Sequence, residues 1–148
     1  MSQPVGIVEV ITGSMFCGKT EELIRRLRRA SIAKQKVQVF KPVIDDRYAF
    51  FKVKSHSGMD YEAVPVSSSA ELLEKLDPSA TVVGVDEAQF FDDGIVAVVN
   101  QLADRGLRVI VTGLDTDFRG EPFGCMPVMT AKADKVDKLT AICVVCGE

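Results

Sequence analysis

The run Gly6-Ile-Val-Glu-Val-Ile-Thr12, followed at once by Gly13-Ser-Met-Phe-Cys-Gly18-Lys19-Thr20, decides how this chain folds. Its first seven residues are short, β-branched and mostly apolar, which is the make-up of a buried strand. From Thr20 to about Lys34, Leu23, Ile24, Leu27 and Ala30 recur on one face of a helix, and Arg25, Arg26, Arg28 and Arg29 fill the rest. Between strand and helix the residues fit G-x-x-x-x-G-K-[ST]. That setting separates a phosphate-binding loop from an incidental glycine turn. Glycines let backbone amides turn inward around oxyanions, and the start of a helix adds partial positive charge. Lys19 is expected to reach the β and γ phosphates of ATP, and the Thr20 hydroxyl to hold Mg2+. Gly13, Ser14, Met15, Phe16, Cys17 and Gly18 complete the cradle.

Outward from this unit the same alternation repeats. Lys36-Val-Gln-Val-Phe-Lys41 alternates polar and apolar as a second strand, closed by Pro42. Ile44 to Asp60 is polar and aperiodic, a loop or hairpin. Ser68 and Glu71 form a capping box ahead of Leu72, Leu73 and Leu76, and Asp77-Pro78 ends that helix. Thr81-Val-Val-Gly-Val85 is an apolar strand. Ile95, Val98, Val99 and Leu102 then mark a helix that stops near Gly106, and Leu107-Arg-Val-Ile-Val-Thr112 repeats the strand signal. Strands alternating with helices, the strands too short and too apolar for anything but burial on both faces, predict an α/β fold. The expected architecture is a P-loop, RecA-like parallel sheet with helices on both faces. No internal repeat or interdomain linker interrupts it.

Composition narrows the partners. A chain of 148 residues, 47% hydrophobic and 26% charged, is that of one folded domain. The formal net charge of -3 gives no global attraction to nucleic acid or anionic lipid. No segment approaches the roughly 20 apolar residues of a membrane helix, and no leader pattern opens the chain, so a cytoplasmic location is expected. The arginines of the first helix read as a solvated face, with a grip on nucleic-acid phosphates as the alternative.

A second chemical element is the strand that ends in Asp86 and Glu87. Phosphoryl transfer needs a carboxylate beside the loop to position the metal, and the residue that ends the apolar strand, Asp86, is the one expected to do so. Adjacent carboxylates in a strand diverge, so Glu87 is expected to face an acceptor hydroxyl and take its proton as general base. The alternative for Glu87 is a second residue of the metal's shell.

With these residues in view, the chain resembles the tetrameric (type II) thymidine kinases of many bacteria and of animal cytosol. Besides the phosphate loop, the resemblance rests on Lys41-Pro-Val-Ile-Asp45-Asp-Arg47-Tyr48, Ser55-His-Ser-Gly58, Asp86-Glu-Ala-Gln-Phe-Phe91, Gly113-Leu-Asp-Thr-Asp-Phe118 with Pro122-Phe123-Gly124, and Lys138-Leu-Thr-Ala-Ile-Cys143. It implies transfer of the γ-phosphate of ATP to the 5′-hydroxyl of thymidine, with Glu87 as proton acceptor and Arg47 near the transferred phosphate. By the same resemblance Asp86, Glu87, Ala88 and Gln89 belong to the nucleotide site, and Met15, Phe90, Leu114, Phe118 and Phe123 line the base pocket. It also implies a homotetramer. Cys17 departs from the serine usual in the family, and Ser14 from a frequent proline. His56 carries no assigned role.

Cys143-Val-Val-Cys146 has the spacing of metal ligands. It looks like the first knuckle of the family's structural zinc site, whose other two ligands come farther on. The expected organisation is a kinase domain over residues 1–138, then over residues 139–148 the first half of a small zinc-ribbon-like subdomain, cut short at Glu148. Two rival classes share the strand and helix pattern: a recombinase-type or motor-type ATPase, and a non-catalytic nucleotide-binding module. Nucleoside-dependent ADP release separates all three.

Overall fold

The computed structural model describes residues 6–13, 19–43, 52–54, 60–114 and 124–139; for Thr20 and for residues 52–54 and 60–62 it describes the backbone alone. Six strands form one sheet: β1 (Ile7–Gly13), β2 (Val37–Pro42), β5 (Val64–Val66), β6 (Val82–Val85), β7 (Arg108–Leu114) and β8 (Lys135–Leu139). Their order is β5-β2-β6-β7-β1-β8, and every pairing is parallel. A separate antiparallel pair joins β3 (Lys52–Lys54) to β4 (Asp60–Glu62), so the polar stretch contains a hairpin. The helices are α1 (Lys19–Ile32), α2 (Ser69–Lys75), α3 (Gly94–Asp104) and α4 (Met126–Lys132). The expected α/β architecture is therefore present, with helices on both faces.

Period-two alternation divides the core. On one face Ile11, Val39, Val82 and Ile110 pack under Leu23, Ile24, Leu27 and Ala30 of α1. On the other, Val8, Val10, Phe40, Val83, Val85, Val109 and Val111 pack against Leu72 of α2, Val98, Val99 and Leu102 of α3, and Met126 and Met129 of α4. Each of these largest side chains, fully removed from water, is worth about 1.5–3 kcal/mol against exposure.

Two charged residues break the apolar pattern, and they do so together. Glu9 sits in the middle of β1 at 4% exposure, on the α1 side of the sheet. Arg26 is not part of a solvated arginine face: it is buried, and its guanidinium donates to Glu9 at 2.9 Å, to Glu22 at 2.6 Å and to Asp137 of β8 at 2.6 Å. Arg108 adds a bidentate contact to Glu9. Arg26 falls inside the apolar stripe, three residues after Leu23 and four before Ala30. Arg25, Arg28 and Arg29 are exposed, as expected of the run.

The predicted capping box at α2 is present in altered form. Ser68 Oγ accepts from the Glu71 amide at 3.1 Å, but the Glu71 carboxylate reaches back to the amide and hydroxyl of Ser67 instead of the amide of Ser68. The helix ends at Lys75, just ahead of the predicted stop.

Candidate active site

All six strands run the same way, so the loops that can carry chemistry emerge along one edge of the sheet, where α/β proteins bind ligands. β1 ends there at Gly13, whose φ of 148° suits glycine, and α1 begins at Lys19. Lys19 therefore opens the helix whose N-terminal partial charge faces that edge. Two strands away, β6 ends at Val85 and hands on to Asp86.

The register brings polar residues into line at this edge. Phe40 lies opposite Val85, Val85 opposite Val111, and Val111 opposite Val10. One residue farther along, Lys41, Asp86, Thr112 and Ile11 form a row across four neighbouring strands on the α1 face, because their predecessors all face the other core. Asp86 is 8% exposed. Its Oδ1 accepts from the Thr112 hydroxyl at 2.5 Å, and its amide donates to the Phe40 carbonyl at 2.9 Å. Burial raises the proton affinity of its carboxyl, opposed by the Thr112 hydrogen bond and by the positive charges of Lys41 and, less strongly, Lys19.

Strand alternation, which the sequence suggested would part Glu87 from Asp86, does not operate here. The strand has already ended, and Glu87 takes the left-handed conformation, φ 51° and ψ 47°. A non-glycine residue in that region costs on the order of 1–3 kcal/mol and persists where its surroundings over-determine it. Its carboxyl is raised by burial first and by the negative charge of Asp86 second, with Lys41 and Lys19 pulling the other way. Two adjacent acids in one partly desolvated place is an arrangement that functional sites favour.

The turn after Glu87 is a single 3-10 turn, Ala88–Phe90, closed by the Phe90 amide on the Glu87 carbonyl at 3.1 Å. Ala88 is fully buried in the core, and the Gln89 side chain is turned inward, its Oε1 accepting from the Leu114 amide at 3.1 Å. Within the Asp86 to Gln89 part of the expected nucleotide site, the side chains of Ala88 and Gln89 are thus buried away from solvent. Ala88 and Gln89 hold the turn. The Cys125 thiol donates to the Ala88 carbonyl at 3.2 Å, and Gly124, at φ 55°, passes so close that a Cβ there would meet the Gln89 carbonyl oxygen at 2.6 Å.

Leu114 is thereby bonded to Gln89, and Gly124 passes close against it. Phe90 is 45% exposed and Leu114 half-buried. The remaining predicted site residues, Ser14, Met15, Phe16, Cys17, Gly18, Arg47, Phe118, Phe123, Cys143 and Cys146, lie outside the described residues, as does the side chain of Thr20. Sequence reasoning passed over Thr112 and Lys41. The available signal was their position: each is a polar residue at the end of an apolar strand, on the face where Asp86 points.

Among the described residues no three His, Cys, Asp or Glu side chains converge as a metal cage. Mg2+ does not need one, since it keeps several waters and takes one or two protein oxygens together with substrate phosphates. A buried carboxylate at the strand end, one oxygen already oriented by Thr112, fits that demand. No described helix is long and apolar enough to cross a membrane. Compared with known families, residues 6–148 match the family model described as thymidine kinase.

Proposed function

The chain belongs to the thymidine kinase family, and from that premise we propose that it transfers the γ-phosphate of ATP to the 5′-hydroxyl of thymidine, supplying a DNA precursor by salvage. One observation carries the reading: the partly desolvated pair Asp86 and Glu87 stands at the same sheet edge as the β1 to α1 connection that bears the phosphate-loop sequence.

The residues divide the work. The backbone amides of Gly13 to Thr20 and the Lys19 ammonium hold the β and γ phosphates, and Arg47 approaches the transferred group. Thr20 and Asp86 are the residues that would hold Mg2+, which supplies neutralisation of charge on the β and γ oxygens. Glu87 accepts the proton of the 5′-hydroxyl as that oxygen bonds to the γ-phosphorus, and the bond from phosphorus to the β-bridging oxygen breaks to release ADP. Desolvation and the neighbouring Asp86 charge raise the proton affinity of Glu87, which suits an acceptor. Met15, Phe90, Leu114, Phe118 and Phe123 receive the thymine base on apolar surface.

The reading extends to a kinase domain over residues 1–138 and a homotetramer, supported by the sequence resemblance, to a structural zinc site that Cys143 and Cys146 begin, supported by the resemblance and the cysteine spacing, and to a cytoplasmic location, supported by the sequence pattern. ADP release measured with and without nucleoside tests the central claim. Thymidine-dependent release supports a kinase, nucleoside-independent release points to an ATPase, and tight ATP binding without turnover points to a nucleotide-binding module.

A further inference from the structure

The row of side chains at the sheet edge holds one residue to which the catalytic reading gives no task. Lys41 follows Phe40, which pairs with Val85, so Lys41 stands next to Asp86 across the β2 and β6 pairing. Alternation sets them on the same face: Val39 packs under α1 and Phe40 in the opposite core, which returns Lys41 to the α1 side with Asp86. The backbone fixes this neighbourhood independently, through the Asp86 amide on the Phe40 carbonyl at 2.9 Å. Asp86 thus has the Thr112 hydroxyl on its β7 side, bonded at 2.5 Å, and the half-buried residue Lys41 next to it on its β2 side, with no salt bridge between the two. No described carboxylate within salt-bridge distance claims Lys41 in the way that Glu9 and Asp137 claim Arg26.

From this placement we infer that Lys41 is a positioning residue of the phosphoryl-transfer site, a cation set beside Asp86 that balances the acidic edge so that the metal-bound triphosphate can dock. The inference rests on the reading of Asp86 as the residue that would hold Mg2+. Physically, one buried acid, one half-buried acid and an incoming triphosphate gather negative charge in a place of reduced dielectric, where a neighbouring cation counts for more than at the surface. The local electrostatics agree. For Asp86 as for Glu87, Lys41 opposes the raising effect of burial more strongly than Lys19 does, although Lys19 belongs to the phosphate loop itself. Lys19 faces the phosphates, and Lys41 serves the carboxylate.

The test is a double-mutant cycle on the full chain, read by MgATP binding with a fluorescent nucleotide and by steady-state kinetics, with thermal melts of every variant. Lys41→Met is expected to weaken MgATP binding and raise KM for MgATP by about tenfold, as coupled charge pairs do, while KM for thymidine stays within about twofold. Lys41→Arg keeps the charge and is expected to stay within about threefold of the wild type. In an Asp86→Asn background the Lys41→Met effect is expected to shrink below about twofold, because its object is gone. An undiminished effect in that background, or MgATP binding by Lys41→Met within twofold of wild type, overturns the inference. If Lys41→Met melts early, Lys41→Gln serves in its place with the same criteria. Failure of the wild type to phosphorylate thymidine would sink the proposed reaction, whereas the binding cycle would still decide the role of Lys41.

Discussion

Two places on the α1 face of the sheet bury acidic side chains, and they are built in opposite ways. At the middle of β1, Glu9 is met by two guanidiniums, and Arg26 is in turn met by Glu22 and Asp137. At the end of β6, Asp86 and Glu87 sit side by side, the charge of Asp86 raising Glu87, and Asp86 is held by the neutral Thr112 hydroxyl and the Glu87 backbone where Glu9 has guanidiniums. Glu9 is a closed account of charge and hydrogen bonds that ties α1 to the edge strand β8. Asp86 and Glu87 are left with negative charge in excess, which a metal, a proton or a phosphate-binding cation can relieve. Buried charge met by opposite charge marks architecture; buried charge set beside like charge marks chemistry.

The sharpest way to break this contrast is Glu87→Gln, which preserves shape and removes the proton-accepting charge. It should lower kcat by roughly 10² to 10⁴ while MgATP affinity barely changes. A kcat near wild type with a raised Mg2+ requirement would exchange the roles of Glu87 and Asp86. Next is Lys19→Ala, expected to cost more than about a hundredfold in turnover with the fold intact, the scale of losing one electrostatic contact to a developing charge. Circular dichroism and turnover measured together check it, and retention of most of the rate removes Lys19 from the site.

The closed cluster should answer in the other currency, stability. Arg26→Met leaves Glu9 with Arg108 alone and strips Asp137 of its partner, so about 3 kcal/mol should be lost, near the low end for breaking a buried pair. Urea unfolding measures it, and turnover per folded molecule should stay within about twofold. Loss of turnover without loss of stability would mean that this cluster, too, belongs to the active site.

Much of the architecture was legible because burial leaves a mark on composition. β1, β6 and β7 are central strands covered on both faces, so they read as apolar runs, and α3 reads from Ile95, Val98, Val99 and Leu102. β5 and β8 escaped the sequence reading because they are the two outer strands. Val64-Pro65-Val66 is short and carries a proline that an edge tolerates, and Lys135–Leu139 mixes charged with apolar residues because, among the described residues, one side of it has no neighbour. α4 is short and opens on Met126-Pro127, too little for periodicity to show. At the site, the loop motif and the Asp86-Glu87 pair stand in the sequence. The left-handed turn at Glu87 and the inward Gln89 do not, since both come from long-range packing of Leu114, Gly124 and Cys125. Arg26 was legible in principle from its place in the apolar stripe, but a run of four arginines concealed it.

The smallest expected effect sharpens the comparison by adding an acid that is satisfied yet partly exposed. Glu71 accepts from the Ser67 amide and hydroxyl and pairs with Lys75 at 3.1 Å, and the Ser67 hydrogen bonds above all hold its carboxyl down to about 2 from an ordinary 4.5. A group depressed in the folded state contributes stability above its unfolded pKa and loses that contribution as pH falls through the folded one. The window here runs from about 4.5 down to about 2. Water screens the group, so the effect on Tm should be only about 1–2 °C for a domain of this size. Glu71→Gln can still accept a hydrogen bond from Ser67 but cannot titrate. Between pH 5 and the acid limit of reversible melting, the wild type should therefore lose slightly more Tm than Glu71→Gln does. Added salt should weaken the Lys75 share of that difference and leave the Ser67 share in place. Parallel Tm curves for the two proteins across the window would show that the reach of Glu71 to Ser67 contributes nothing that depends on its charge.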